Sequence, residues 1–202
     1  MIYSMYIKFY LDKLLALIFV ILLFPVFILL CFLLLITQGW PMFFVQKRSG
    51  KQMKVFRLLK FRTLIGSQTA DLSIGNRNFT VLGKFMRNTG LDELPQLLNI
   101  LRGEMSFVGP RPMPIEYEKL YSSEHKKRFL TKPGLTGLAQ VSGKNNITWG
   151  RRFELDDIYV SNVSFNMDLR IFFRTLIQMF ASIFGKHKDC GEMPVFNGKN
   201  LN

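Results

Sequence analysis

Cysteine and histidine are nearly missing from this 202-residue sequence, which holds two of each. Cys31 and Cys190 cannot build a disulfide framework or a Cys-ligated zinc site, and they fit a reducing compartment. His125 and His187 stand beside neither a Cys nor a second His, so a His-ligated metal or a Ser-His-Asp triad has no material. Any catalysis must therefore use carboxylates, Lys or Arg. Acidic residues are scarce as well, with none between Asp12 and Asp71. No internal repeat, sustained heptad or low-complexity tract is present, which excludes solenoids and coiled coils.

Positive charge is abundant. Lys and Arg number 27 against 14 Asp and Glu, a formal net charge of +13, so the surface attracts polyanions: nucleic acid, anionic lipid or phosphorylated substrates. Lys47, Arg48, Lys51, Lys54, Arg57, Lys60 and Arg62 follow directly on an apolar segment. A basic stretch beside a membrane segment favours anionic membrane lipids and phosphate-bearing ligands over free nucleic acid. The length suits one ordinary domain plus a short appendage.

Between Leu14 and Ile36 every residue is apolar except Pro25. As one helix the run would be roughly 35 Å long, enough to cross a hydrocarbon core of ~30 Å, and by length alone it reads as a single kinked span. It is too long for a signal peptide and no small-residue cleavage site follows it. Two features favour a helix that enters and leaves on one side. Pro25 divides the run into arms of roughly 11 residues and ~17 Å each. Lys8 and Lys13 precede the run and the basic cluster follows it, which places both flanks on the cytoplasmic face. The expected cost is an unmet carbonyl near Ile21 at membrane depth.

Beyond Trp40-Pro41 the pattern breaks into short pieces. Met42 to Gln46 and Lys54 to Lys60 read as strands around a turn at Arg48-Ser49-Gly50, and Ile65 to Asn78 as a polar loop. Val81 to Asn88 reads as a short helix carrying Lys84 and Arg87 and closed by Gly90; Leu94 to Leu101 reads as another, closed by Gly103. Glu116 to Phe129 reads as a charged, exposed helix. Arg170 to Phe184 is either a core helix or an interfacial one, and Phe side chains interleaved with Arg170 and Arg174 favour the membrane surface.

Asp92 and Glu93 lie between Gly90 and Pro95 at an expected helix start, where an acidic residue can be a plain cap or a carboxylate held ionised for Mg²⁺ or for attack on phosphorus. Arg111, fixed between Pro110 and Pro112, suits bidentate phosphate binding, although a solvated turn looks the same. On a strand, Lys60 and Arg62 would share one face and could grip a diphosphate. Pro133-Gly134-Leu135-Thr136-Gly137 reads as a backbone-exposed loop or a structural turn.

In this order, Lys60-Phe61-Arg62-Thr63, Leu91-Asp92-Glu93-Leu94-Pro95-Gln96, Met105 to Pro112 and Pro133 to Val141 closely resemble the bacterial sugar transferase family, the monotopic phosphoglycosyl transferases. The resemblance covers nearly the whole chain. It implies that Asp92 attacks the sugar-bearing phosphate of a UDP-sugar and expels UMP, and that polyprenyl (undecaprenyl) phosphate then takes the phosphosugar, with Mg²⁺ neutralising the phosphates. Glu93 would assist through the metal or as a base, so Asp92 and Glu93 are also the metal candidates. Arg111 would hold phosphate, with Lys60, Arg62 and Arg87 as further phosphate or nucleotide candidates. Asp168 matches another acidic position of the family without a definite role. Where the family has a Ser-Pro pair in its re-entrant helix, this chain has Phe24-Pro25, and Leu64 replaces the methionine usual after Lys-Phe-Arg-Thr.

The expected fold is α+β and mainly helical: a re-entrant membrane helix over residues 1–39, then a catalytic domain over residues 40–202 at the cytoplasmic face of the bacterial inner membrane. That domain combines short strands with interfacial helices, including one near residues 170–184. Self-association stays open. Two rival readings also stand: Asp92 as a metal ligand only, in a ternary complex, and a basic membrane-anchored scaffold without catalysis.

Overall fold

The computed structural model describes residues 3–64, 79–143, 146–183 and 194–201. The segment read as a loop, Ile65 to Asn78, lies outside them, as does Phe184.

A π-helical turn, Tyr3–Ile7, leads into α1 (Lys8–Leu22), and α2 (Phe24–Gln38) follows after Leu23, bent by 61° from α1. Pro25 locates the break: it has no N–H for the carbonyl four residues back and its ring clashes there. The helix therefore restarts with Pro25 in its first turn, where an N–H has no partner anyway. The Leu23 amide donates to the Phe19 carbonyl at 2.9 Å and so closes the last turn of α1. Among the described residues no single helix is long and apolar enough to cross a membrane; the bent pair is, by length and composition.

Both arms are packed on the rest of the molecule. Ala16 of α1 is buried in a core with Leu97, Ile100, Phe107 and Val108. Leu30 and Leu34 of α2 pack with Phe61 and Met86, and the Phe27 ring lies 5.0 Å from Phe61 and 5.9 Å from Phe43. The opposite faces, with Leu14, Ile18, Ile21, Ile28, Phe32 and Ile36, stay exposed.

Strands β1 (Phe43–Ser49) and β2 (Val55–Phe61) form an antiparallel hairpin running from the pair Phe43–Phe61 to the pair Ser49–Val55. Arg48 and Ser49, read from sequence as turn residues, belong to the ladder, and the chain reverses over Gly50 to Lys54 instead. Tertiary contacts extend the strand: the Ser49 amide donates to the Met113 carbonyl at 3.2 Å and its hydroxyl to Glu118 at 2.6 Å. The far edge of β2 is closed by one side chain. Asn99, fully buried, accepts from the Leu59 amide at 3.1 Å and donates to the Arg57 carbonyl at 2.8 Å, as a neighbouring strand would.

Helices α3 (Val81–Thr89) and α4 (Gln96–Arg102) end at Gly90 and Gly103, both left-handed, close to where the sequence puts them. β3 (Ser106–Val108) and β4 (Gly134–Thr136) pair in parallel. Helices α5 (Leu138–Gly143), α6 (Trp149–Ser161) and α7 (Phe165–Ile183) complete the chain. α7 starts before the expected Arg170; it buries Ile171 and leaves Phe165, Leu169, Phe173, Ile177 and Phe180 exposed.

The exposed helix expected from Glu116 to Phe129 does not form. Two 3₁₀ turns, Ile115–Leu120 and His125–Leu130, stand there, with Tyr117, Tyr121, Arg128 and Phe129 buried. The charged residues masked three aromatic anchors, whose partners are distant in sequence: Trp149 and Phe153 of α6 and Phe196 of the tail.

Candidate active site

Asp92 and Glu93 occupy a 3₁₀ turn, Leu91–Glu93, entered through left-handed Gly90 (φ 76°). Asp92 is thus not the cap of α4; Pro95 takes that position, and no side-chain cap bond is made there. Among the described residues the two carboxylates meet cations instead of backbone amides. Lys60, near the end of β2, places Nζ 2.5 Å from Glu93 Oε1 and 3.9 Å from Asp92 Oδ2. Arg111 donates to the same Glu93 oxygen at 3.1 Å.

The glycines of the Gly134 loop explain how Arg111 gets there. Gly109 donates to the Thr136 carbonyl at 2.9 Å and Gly134 to the Pro110 carbonyl at 3.0 Å. A Cβ on Gly134 would fall 2.1 Å from the Gly109 nitrogen, so only glycine lets the two backbones approach and set the direction of Pro110-Arg111-Pro112. The Arg111 carbonyl accepts from Arg128 at 2.8 Å, and Arg128 forms a buried ion pair of 2.9 Å with Asp156.

Burial pushes the Asp92 carboxyl above its ordinary range, against the pull of Lys60. Glu93 behaves oppositely: burial would raise it, but Lys60 and Arg111 together hold it down to about 2. Adjacent carboxylates are thereby differentiated. Glu93 is held as the anion that gathers two cations, while Asp92, 8 % exposed, is the more basic carboxylate beside them.

A sequence model of the bacterial sugar transferases matches residues 3–182. The chain belongs to the bacterial sugar transferase family. Among its relatives, the uncharacterized sugar transferase EpsL of Bacillus subtilis is 43% identical over 146 residues, covering 71% of this chain and 72% of that protein. The exopolysaccharide production protein ExoY of Sinorhizobium fredii is 37% identical over 184 residues, covering 82% and 81%. The undecaprenyl-phosphate galactose phosphotransferase of Salmonella typhimurium is 36% identical over 157 residues, covering 68% of this chain and 33% of that longer protein.

In this sugar transferase the structure gathers Lys60, Asp92, Glu93 and Arg111. It does not bring Arg62 to them. β2 ends at Phe61, and the Arg62 guanidinium turns to the carbonyls that close α2, those of Gln38 and, at 3.0 Å, Gly39. A helix C-terminus with unpaired carbonyls is a natural partner for a cation. Arg87 is exposed and stacks over Phe79 at 4.7 Å, though it is close enough to Asp92 to favour its charged form. Asp168 is buried in a tether of its own that receives Tyr3 and Lys8, each at 2.6 Å, with the Tyr159 hydroxyl at 2.7 Å.

Sequence reasoning missed Arg48, Arg128, Arg152 and Asp156. Arg48 falls in an expected turn and Arg128 in an expected solvated helix; no local pattern marks Arg152 or Asp156, since their burial depends on the distant aromatic cluster. Burial, then the neighbouring Arg111, lowers both Arg48 and Arg152 to about 10. Among the described residues no group of three or more His, Cys, Asp or Glu converges. Asp92 and Glu93 are the carboxylates that would hold Mg²⁺, an ion generally bound on one or two carboxylates with the remaining ligands from substrate phosphates and water.

Proposed function

We propose that this sugar transferase moves a sugar 1-phosphate from a UDP-sugar to polyprenyl (undecaprenyl) phosphate, as an early membrane step of glycoconjugate assembly. The carrying observation is the pairing of a buried carboxylate of raised basicity, Asp92, with two cations locked in place by Glu93. The printed names of relatives support the substrate classes, among them a UDP-glucose:undecaprenyl-phosphate glucose-1-phosphate transferase of Klebsiella pneumoniae, 34% identical over 181 residues.

An Asp92 carboxylate oxygen attacks the sugar-bearing phosphorus, forming an acyl phosphate as the P–O bond to UMP breaks and its electron pair leaves with UMP. An oxygen of polyprenyl phosphate then attacks the same phosphorus and releases the Asp92 carboxylate, giving a polyprenyl diphosphosugar. Arg111 and Lys60 hold phosphate oxygens, so that most of the catalysis is positioning and charge stabilisation. Asp92 and Glu93 are the residues that would hold Mg²⁺, which supplies charge neutralisation on the phosphates. The bent α1–α2 pair, with its exposed apolar faces, supports a site at the cytoplasmic surface of the inner membrane, where the lipid phosphate lies.

UMP release from a panel of UDP-sugars, with polyprenyl phosphate and Mg²⁺ present, tests the reaction. Asp92→Asn should abolish it, and intact-mass analysis of the wild-type enzyme with donor alone should show one phosphosugar adduct. Normal turnover by the variant would remove the nucleophile role; turnover by the wild type without any adduct would favour a ternary complex.

A further inference from the structure

Arg48 is a cation in search of an anion. It sits on β1 in register with Phe56 and lines the cleft formed with Lys60, Glu93, Gln96 and Arg111. Its guanidinium donates to the Pro112 carbonyl at 3.0 Å and to Gln46 at 2.5 Å, while its Nε is buried without a partner. It forms no ion pair among the described residues, whereas Lys60 and Arg111, the other cations of the cleft, both do. A half-buried charge whose hydrogen bonds go only to neutral acceptors, with Glu116 and Glu93 attracting it from a distance, is costly, and a phosphate entering the cleft would relieve that cost.

The cleft also has a direction. Phe43, at the start of β1, packs on Phe27 of the membrane helix α2, and Arg48 lies five residues on, about 17 Å along the strand. At that end Ser49 contacts Met113 and Glu118, on the side of the soluble aromatic cluster. The cations are therefore ordered, with Lys60 and Arg111 at the carboxylates and Arg48 beyond them, away from the membrane.

We propose that Arg48 binds the nucleotide-side phosphate of the donor diphosphate, the one that leaves as UMP. This rests on the transfer reaction proposed above. The sugar-bearing phosphate lies at Asp92 between Lys60 and Arg111, the second phosphate reaches Arg48, and the lipid phosphate approaches from the opposite, membrane side.

The test compares binding of UMP and of uridine to the full chain in detergent, alongside steady-state kinetics. Arg48→Gln should weaken UMP binding about 10- to 100-fold, as expected for losing a charge-assisted bidentate contact, and leave uridine binding unchanged. KM for the UDP-sugar should rise while KM for polyprenyl phosphate stays put. Arg48→Lys, which keeps the charge without the fork, should fall between, and it carries the test should the Gln variant fail to fold. Unchanged UMP affinity, or equal loss for UMP and uridine, would leave Arg48 a mere support for Pro112 and overturn the assignment. If the wild type releases UMP while Arg48→Gln binds it normally, only this inference fails; if the wild type releases none, the transfer reaction itself fails.

Discussion

Glu93 serves two cations with one oxygen, and that economy sets the behaviour of its neighbour. Replacing Glu93 by Gln keeps the shape and removes the charge, freeing Lys60 and Arg111 to pair with Asp92 and dull it as a nucleophile. The expected result in UMP-release assays is a fall in kcat of about 10²- to 10³-fold, the scale of losing one preorganised electrostatic contact, with little change in KM for the donor. The pH profile reports the same geometry. In the proposed reaction Asp92 attacks as a carboxylate, and burial raises its pKa from the ordinary 3.8 while Lys60 opposes the rise. The acid limb of kcat/KM should therefore lie above the ordinary carboxylate range. Lys60→Met removes the opposing charge, so it should move the limb to still higher pH. A limb displaced to lower pH in that variant would contradict the account. The carboxylate pair, Lys60 and Arg111 were legible in the sequence because each sits in a short, stiff motif. Arg62 was misdirected because alternation assigns faces only while the strand lasts, and β2 stops one residue earlier.

At the scale of elements, helices closed by Gly90 and Gly103 were legible because a left-handed stop is a local signal. The β3–β4 pairing and the 3₁₀ turns around Tyr117 and Tyr121 were not, since both depend on contacts between segments far apart in the chain. The glycines at these two kinds of place should respond differently to substitution. At Gly90 a Cβ meets nothing within 4 Å, so Gly90→Ala carries only the left-handed strain of φ 76°, about 1–2 kcal/mol. At Gly134 a Cβ would collide with backbone atoms of Gly109 and Thr136, which cannot rotate aside, and Gly134→Ala should cost about 3 kcal/mol or more. Thermal unfolding of the purified variants in one detergent ranks them. Should Gly90→Ala be the more damaging, the close approach of the two loops is not what holds Arg111.

For the molecule as a whole, the decisive geometry is that α1 and α2 are each cemented to the catalytic part. α1 is held through Ala16 and through Asp12, which accepts from the Ser106 hydroxyl at 2.7 Å; α2 is held through Leu30, Leu34 and the Phe27–Phe61 contact. Lys8 is tied to Asp168 at 2.6 Å, so the start of α1 stays with the globular part, and β1 begins a few residues after α2 ends. A straight span would carry one end of the pair across the bilayer and tear it from these partners. The bend at Leu23 lets both ends remain. The expected topology is therefore same-sided. In a variant with Cys31→Ser and Cys190→Ser, single cysteines placed at Tyr6 and at Lys47, both exposed, should react with a membrane-impermeant maleimide only in vesicles that expose the cytoplasmic face. Labelling of the two sites from opposite faces would mean a spanning helix, and the anchoring of α1 through Asp168 would have to be abandoned with it.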